Sequence, residues 1–222
     1  MCGRGSETES VSQKLRFARE FGPLPEGFKD SYNIAPTGNV LIVRAGDTTL
    51  EWGLVRWMLI PSWWKDSENL PTKTFNARAE TVASLASYKV PFRRRRCLVV
   101  MDGFYEWQAT GGKTKQPYYI RNREAEVPLA IAGLWDRWQS PEGPVESCTI
   151  ITTTPNDLMT GIHDRMPVVL GPGDFEAWLD PGHQAIERLQ PLLVPCDAKR
   201  LEAYPVRPLA GDGPSLIEPL IA

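Results

Sequence analysis

The chain begins Met1-Cys2-Gly3-Arg4, so removal of a single methionine would make Cys2 the N-terminal residue. An N-terminal cysteine carries an amine and a thiol on neighbouring carbons, and this pair can react with an aldehyde in two stages. The amine condenses first, because at pH about 7.5 about a third of an α-amino group is unprotonated, against about 0.1% of a lysine side chain. The thiol then closes a five-membered ring on the imine carbon, which is an intramolecular step. The simpler interpretation is a frayed chain end without chemistry.

Two other side chains have types suited to proton transfer. Glu106 lies between Tyr105 and Trp107 in a strand-like segment, where aromatic neighbours would remove water from the carboxylate and raise its pKa. His163 is one of only two histidines and directly precedes another strand-like segment. The alternatives are an edge-strand glutamate that faces water and a structural loop histidine. Because histidines are scarce and neither thiols nor carboxylates cluster, the sequence predicts no metal site and no cofactor.

Residues that could bind anions or nucleobases lie in two predicted loops. Asn76, Arg78 and Glu80 alternate just before a predicted helix, a placement that suits a phosphate or another anion. An ordinary polar loop is the alternative for these three. Trp63 and Trp64 could stack on nucleobases, or they could belong to the core.

The composition limits the possible partners and locations. The 222-residue chain has a net charge of −2, so contact with a nucleic acid would have to come from a local patch. The one basic run, at residues 92–97, is interpreted as a solvated surface without a catalytic part. No segment reaches the length of a membrane span and the N-terminus lacks an apolar signal core. We therefore expect a cytoplasmic protein, nucleoid-associated if it is bacterial.

The elements that must position these residues are mostly strands. The sequence predicts helices at 10–21, 79–87, 173–180 and 184–189, and β-rich segments at 40–45, 48–55, 96–109, 116–122, 128–138, 147–155 and 165–170. Cys97 and Cys148 fall in such segments and are expected in the core, whereas Cys2 has no apolar neighbours. We predict one α+β domain over residues 1–222, with a mostly antiparallel, barrel-like β core and short peripheral helices.

Seven short motifs follow one another along nearly the whole chain. They are M-C-G-R at 1–4, N-x-A-P at 33–36, W-G at 52–53, P-x-W-W at 61–64, N-A-R-x-E at 76–80, D-G-F-Y-E-W at 102–107 and I-H-D-R-M-P at 162–167. Each motif is weakly specific, but all seven in this order resemble the SOS response-associated peptidase family, the SRAP domain. The chain departs from the family pattern at Phe104-Tyr105 and Met166, which carry no proposed catalytic atom. The long C-terminal extension of vertebrate members does not follow, so we expect a minimal single-domain form.

The resemblance implies an activity and a set of site residues. It implies a groove for single-stranded DNA, self-removal of Met1 and covalent capture of abasic sites through a thiazolidine on Cys2, which shields the lesion from strand cleavage. The catalytic residues matched by motif are Cys2, Asn76, Glu106 and His163. The DNA-contacting residues would be Arg4, Arg78 and Arg165 at phosphates, with Pro36, Trp63 and Trp64 along the strand. The expected partner is single-stranded DNA containing abasic sites, with no membrane, metal or cofactor, and we expect a monomer.

Two other functions are compatible with the same residues. A cysteine-dependent peptidase or N-terminal-nucleophile amidohydrolase that acts on other proteins could also use Cys2 and Glu106, and turnover of an unrelated peptide would favour it. A non-catalytic reader of modified bases would bind DNA equally well after Cys2→Ala and form no covalent product. A stoichiometric covalent adduct with DNA would favour the capture of abasic sites.

Overall fold

Strands make up most of the secondary structure in this computed structural model, which describes residues 2–12, 22–112 and 114–220. The strands are β1 Gly5–Glu7, β2 Ser31–Ile34, β3 Asn39–Ala45, β4 Leu50–Trp57, β5 Asn76–Arg78, β6 Arg96–Met101, β7 Gly103–Ala109, β8 Lys115–Asn122, β9 Leu129–Ser140, β10 Gly143–Thr153, β11 Met166–Pro167 and β12 Leu201–Pro205. The helices are α1 Glu9–Ser12, α2 Lys89–Arg94, α3 Asp157–Thr160, α4 Phe175–Leu179 and α5 Ile186–Leu189, with 3-10 turns at Gln190–Leu192, Ala198–Arg200 and Pro214–Ile217. None of the described helices is long and apolar enough to cross a membrane.

Five strands close into a barrel. The order β10–β4–β3–β6–β9 returns to its start, because β10 pairs with β4 on one side and with β9 on the other. Neighbours in this ring run antiparallel except for β10 and β4, which run parallel. A closed ring has no free edge to protect. The predicted α+β fold with a mostly antiparallel, barrel-like core and short helices is confirmed.

Both faces of the barrel wall are buried, which explains its continuous apolar runs. Every residue of β6 is buried. Cys97 and Val99 belong to a cluster that draws on all five barrel strands and fills the interior, and Cys148 lies there as well. Leu98 and Val100 face an outer cluster that α2 and α4 cover. A strand covered on both faces shows a short unbroken apolar run instead of alternation.

A second, antiparallel sheet holds the start of the chain, with the strand order β12–β8–β7–β1–β2. All three residues of β1 are buried, and a Cβ at Gly5 would lie only 2.7 Å from the Met101 sulfur. Glu7 joins β1 to the barrel, because the Leu41 N–H donates to its two carboxylate oxygens at 3.2 and 3.1 Å. Cys2 has no exposed surface. The interpretation of Cys2 as a frayed end is therefore wrong.

The helix predicted at 79–87 is not present. That segment is a series of turns, and α2 begins only at Lys89. The Ser84 hydroxyl donates to the Thr81 carbonyl oxygen at 3.0 Å, a local bond that competes with a regular helix. Of the helix predicted at 10–21, only the part in α1 is described, and residues 13–21 lie outside the described residues. The helices predicted at 173–180 and 184–189 are α4 and α5.

Two strand predictions and one loop prediction also change. The segment 96–109 forms two strands in different sheets, β6 and β7, which meet at Asp102. The strand expected at 165–170 is reduced to the two residues of β11. Asn76 and Arg78 do not lead into a helix, because β5 pairs in parallel with β10 and places Asn76 opposite Ile150. The remaining predicted strands are β3, β4, β8, β9 and β10.

Candidate functional site

The site is built around Cys2, whose main chain is held by Asn76. The Asn76 side-chain Nδ2 donates a 2.7 Å hydrogen bond to the Cys2 carbonyl oxygen, although 74 residues separate the two. Asn76 is itself fixed by the pairing of β5 with β10 and by the Tyr88 hydroxyl, which donates to its carbonyl oxygen at 3.3 Å. Among the described residues, the buried Asn76 Oδ1 has no hydrogen-bond partner. This acceptor is available for a donor that arrives with a substrate.

Glu106 reaches the same place from β7, the middle strand of the second sheet. It is 2% exposed, so the alternative of an edge-strand glutamate facing water is wrong. Burial raises the pKa of Glu106 to about 7. Burial also raises the pKa of the Cys2 thiol, and the negative charge of Glu106 raises it further, which indicates that the two groups lie close together. The thiol is therefore protonated at rest, and the carboxyl group can either give or take a proton near neutral pH.

His163 lies beside Glu106, in the loop after α3. Its Nε2 is 3.8 Å from Glu106 Oε2, and its backbone N–H donates to the Met159 carbonyl oxygen at 2.9 Å. The Arg165 N–H donates to Nδ1 at 3.0 Å, so the neutral ring carries its proton on Nε2, facing Glu106. Asp164 Oδ1 lies 2.9 Å from the same Nδ1, a contact that is favourable only when Nδ1 carries a proton. Burial lowers the pKa of His163, which favours the neutral form.

Cys2, Asn76, Glu106 and His163 therefore meet at one site between the second sheet and the barrel. The site contains a neutral thiol, a carboxyl group that titrates near pH 7, a neutral imidazole and an unpaired amide oxygen. These groups suit proton transfer to and from a carbonyl or a sugar oxygen. The described residues include no group of three or more side chains that could bind a metal ion.

The three arginines assigned to phosphates differ in their surroundings. Arg78 is exposed at the end of β5. Arg4 is partly buried, and its Nη1 donates to Asn33 Oδ1 at 2.8 Å. Arg165 is held most firmly, because its guanidinium donates to both oxygens of Glu80 at 2.6 and 2.9 Å and to the Thr152 carbonyl oxygen at 2.6 Å.

The residues assigned to the path of a strand lie in exposed or half-buried loops. Trp63 is 53% exposed, and its ring centroid lies 5.8 Å from that of Trp64. Trp64 is more buried and donates from its indole N–H to the Asp66 carbonyl oxygen at 2.7 Å. Pro36 is half-buried in the turn that follows β2. A separate cavity of about 320 Å³ is lined by Arg4, Trp107, Lys115, Pro117, Pro208 and Leu209.

Sequence reasoning missed the residues that hold the site residues in place. Tyr88 anchors Asn76, Asn33 anchors Arg4, and Glu80 pairs with Arg165. Asn33 belongs to a short motif and could have been considered from that signal, whereas Glu80 was considered only as part of an anion-binding loop. Tyr88 carries no such signal, because it belongs to none of the short motifs and lies just beyond the helix predicted at 79–87.

The chain is similar to known proteins along most of its length. Residues 1–212 match the family described as SOS response associated peptidase (SRAP). The chain is 41% identical over 227 residues to the "Abasic site processing protein YoqW" of Bacillus subtilis (strain 168), covering 98% of this chain and 99% of that protein. It is 37% identical over 204 residues to the "Abasic site processing protein HMCES" of Gallus gallus, covering 76% and 60% respectively. A crystal structure of a Bacteroides thetaiotaomicron protein matches with a TM-score of 0.88 and 27% identity, over 99% of this chain and 100% of that one.

Proposed function

The chain belongs to the SOS response-associated peptidase (SRAP) family, and on this premise we propose that it binds single-stranded DNA and captures abasic sites covalently through Cys2. The reagent is the aminothiol that Cys2 acquires when Met1 is removed. The observation that carries the proposal is the burial of Cys2 beside Glu106, with its main chain held by Asn76. Two relatives that share most of this chain are named abasic site processing proteins, which supports the choice of substrate.

The first step is the removal of Met1. While Met1 is attached, the Cys2 nitrogen is an amide and cannot condense with an aldehyde. Attack of the Cys2 thiol on the preceding carbonyl would move the acyl group from nitrogen to sulfur, and water would then hydrolyse the thioester and release methionine. Glu106, with its pKa of about 7, is placed to accept the thiol proton and to deliver a proton to the departing nitrogen.

The second step is the capture of the abasic site, a condensation that releases one water molecule. The free amine adds to the C1′ aldehyde of the open sugar, and loss of water gives an imine. The Cys2 sulfur then adds to C1′, its proton passes to the nitrogen, and a thiazolidine results. Because the buried thiol is protonated at rest, the amine is the better first nucleophile.

The neighbouring side chains have separate roles in this step. Glu106 would move protons between the amine and the departing hydroxyl. His163 carries its proton on Nε2 in the neutral form, and this N–H would donate a hydrogen bond to the ring oxygen as the sugar opens. Asn76 positions Cys2 through the carbonyl group, and its unpaired Oδ1 could accept a hydrogen bond from the amine or the sugar.

The DNA strand would pass over the cationic and aromatic residues around this site. Arg4, Arg78 and Arg165 would contact phosphates, and Trp63, Trp64 and Pro36 would line the path of the bases. Exposed aromatic faces need unstacked bases, so we propose that single strands are preferred over a paired duplex.

The peptidase alternative fits the surroundings of Cys2 less well. A cysteine that attacks other proteins usually has a lowered pKa and lies in an open, electropositive cleft. Cys2 is fully buried, its thiol pKa is raised, and its charged neighbour is a carboxylate. These features favour a nucleophile that first reacts within its own chain.

Intact-mass spectrometry of the purified chain mixed with abasic single-stranded DNA tests the proposal. We expect a protein that lacks the mass of Met1, and an adduct whose mass is the sum of the reactants less one water. A variant with one extra residue left before Cys2 keeps the thiol but has no free aminothiol, so it should form no adduct. Cys2→Ala should give only a labile imine that borohydride traps. A heat-stable adduct on the blocked variant would contradict the thiazolidine mechanism, and peptide turnover without any DNA adduct would favour the peptidase.

A further inference from the structure

The basic run at residues 93–96 is divided by the fold into two structural and two exposed arginines. Arg96 is 3% exposed and donates to backbone carbonyl oxygens of five residues, including Trp178 at 2.6 Å. Arg95 forms an ion pair with Asp136 at 3.1 Å. The interpretation of the whole run as a solvated surface is therefore wrong for these two. Arg93 and Arg94 are exposed on α2, and so is Lys89.

Lys89, Arg93 and Arg94 have no carboxylate partner within the described ranges, which distinguishes them from the four arginines that form ion pairs there. Arg44, Arg121 and Arg165 each donate to a nearby carboxylate at 2.6–2.8 Å. The three cations on α2 form a patch of uncompensated positive charge, although the chain carries a net charge of −2. We call these three residues the α2 patch. Such a local patch suits a polyanion.

The α2 patch begins beside the proposed reaction site. Tyr88 directly precedes α2, and its hydroxyl donates to the carbonyl oxygen of Asn76, so one tyrosine side chain spans the gap between α2 and β5. Arg78, the exposed arginine of β5, lies two residues beyond Asn76. A DNA strand that contacts Arg78 would therefore pass close to the N-terminal end of α2.

Two exposed apolar side chains accompany the cations. Leu85 is 48% exposed and lies in the turn before α2, and Val90 is 45% exposed on α2 itself. Arg93 and Arg94 lie about 6 Å further along the helix than Lys89 and Val90, at a rise of about 1.5 Å per residue. Cations that follow a backbone, beside apolar surfaces for sugars and bases, are the combination found in single-strand binding grooves.

We propose that the α2 patch, together with Leu85 and Val90, binds the sugar-phosphate backbone of the single strand that flanks the abasic site. This inference rests on the proposed function and extends its DNA site beyond the lesion. Arg93 and Arg94 each contact one phosphate, and neither takes part in the covalent step. The patch therefore governs how tightly long strands bind, and short strands that cover only the lesion do not reach it.

Equilibrium binding of an unreactive abasic analogue, measured against salt concentration, tests this inference. For a single strand of about 16 nucleotides, the double variant Arg93→Ala/Arg94→Ala should reduce the slope of log K against log[salt] by about 1.4, or 0.7 per phosphate. Affinity at about 0.1 M salt should fall about tenfold. A strand of about four nucleotides centred on the analogue should bind the double variant and the wild type equally.

The matched control is Arg137→Ala/Lys199→Ala, which removes the same charge at two exposed positions on other elements. It should keep the wild-type slope on the long strand. A wild-type slope for the α2 double variant would overturn the inference and leave the patch for another partner, such as an acidic protein segment. Equal losses on the long and short strands would overturn it as well. Failure of the proposed function would be recognised separately, as absence of any covalent adduct between the wild type and a reactive abasic strand.

Discussion

The side-chain amide of Asn76, on the short strand β5, donates a hydrogen bond of 2.7 Å to the carbonyl oxygen of Cys2 at the start of the chain. This bond orients the residue that carries both proposed nucleophiles, the amine and the thiol. Positioning of reacting groups in this way can account for a large part of a rate enhancement. The predictions below separate such positioning from proton transfer and from DNA binding.

Asn76→Ala should slow the formation of the DNA adduct by about 10- to 100-fold, because Cys2 loses its anchor. Equilibrium affinity for an unreactive strand should change little. Asn76→Asp removes the donor and keeps an oxygen acceptor, so it should be about as slow as Asn76→Ala if the bond to Cys2 is what matters. Single-turnover gel assays measure the rate, and Asn69→Ala, in an exposed loop, is the control. A fast Asn76→Asp variant would assign the effect to Oδ1 instead.

Glu106→Gln should slow adduct formation by about 100-fold, the usual scale of general acid–base help, with unchanged affinity for DNA. The substitution keeps the shape of the side chain and removes the group that exchanges protons near pH 7. Rates measured across a pH series should also lose the dependence on a group that titrates near that value. A variant with the wild-type rate would exclude Glu106 from the proton transfers.

Glu106 should also make the stability of the chain depend on pH. Its pKa is raised by burial from 4.5 to about 7, so between these pH values the folded chain holds a proton that the unfolded chain releases. Stability therefore falls as the pH rises through this window, and Glu106→Gln avoids that loss. Thermal unfolding should show a higher Tm for Glu106→Gln than for the wild type at pH about 8, and a much smaller difference at pH about 4.5. The same difference at both values would mean that Glu106 does not titrate as described.

Arg78→Ala and Arg165→Ala should differ in their effect on folding. Both should weaken binding to intact and abasic single strands, and each should make the slope of log K against log[salt] shallower by about 0.7, the contribution of one phosphate. Only Arg165→Ala should also lower the Tm, because it leaves Glu80 and the Thr152 carbonyl oxygen without their donor. Fluorescence anisotropy and thermal unfolding measure the two effects. If Arg78→Ala leaves the salt slope unchanged, Arg78 does not contact a phosphate.

Trp63→Ala should weaken binding to single strands by about tenfold, the scale of one lost stacking contact, and leave the Tm unchanged. Trp63 is more than half exposed, so its removal costs little packing. Trp64→Ala serves as the comparison, because that indole also donates to the Asp66 carbonyl oxygen and its loss should lower the Tm. On a fully paired duplex, crosslinking should be slow for all three proteins. Equal crosslinking rates on duplex and single strand would contradict the role of the exposed ring.

The strands of the barrel were predictable because their signal is local. The apolar runs at 97–101 and 40–43 need only the burial of nearby side chains, and both segments form strands as expected. The two sheets could not be told apart in 96–109, because the change at Asp102 depends on which strands pair on each side. The prediction of a helix at 79–87 was wrong because the local helix propensity is weak and the turns are stabilised by packing and by the Ser84 hydrogen bond.

By itself, the sequence determined the kinds of chemistry and the side chains that could supply them. Cys2, Glu106 and His163 were identified from the reactivity of a terminal aminothiol, a desolvated carboxylate and a loop histidine. That reactivity depends mainly on the type of residue. Only the tertiary structure decided that they meet. β1 is a polar Gly-Ser-Glu segment without strand propensity. It is buried because it pairs with β7 and β2 and because the Leu41 N–H donates to the Glu7 carboxylate. β5 reaches Cys2 because it pairs with β10, more than seventy residues away. Contacts of such long range depend on closure of the whole barrel, and no local pattern of residues encodes them.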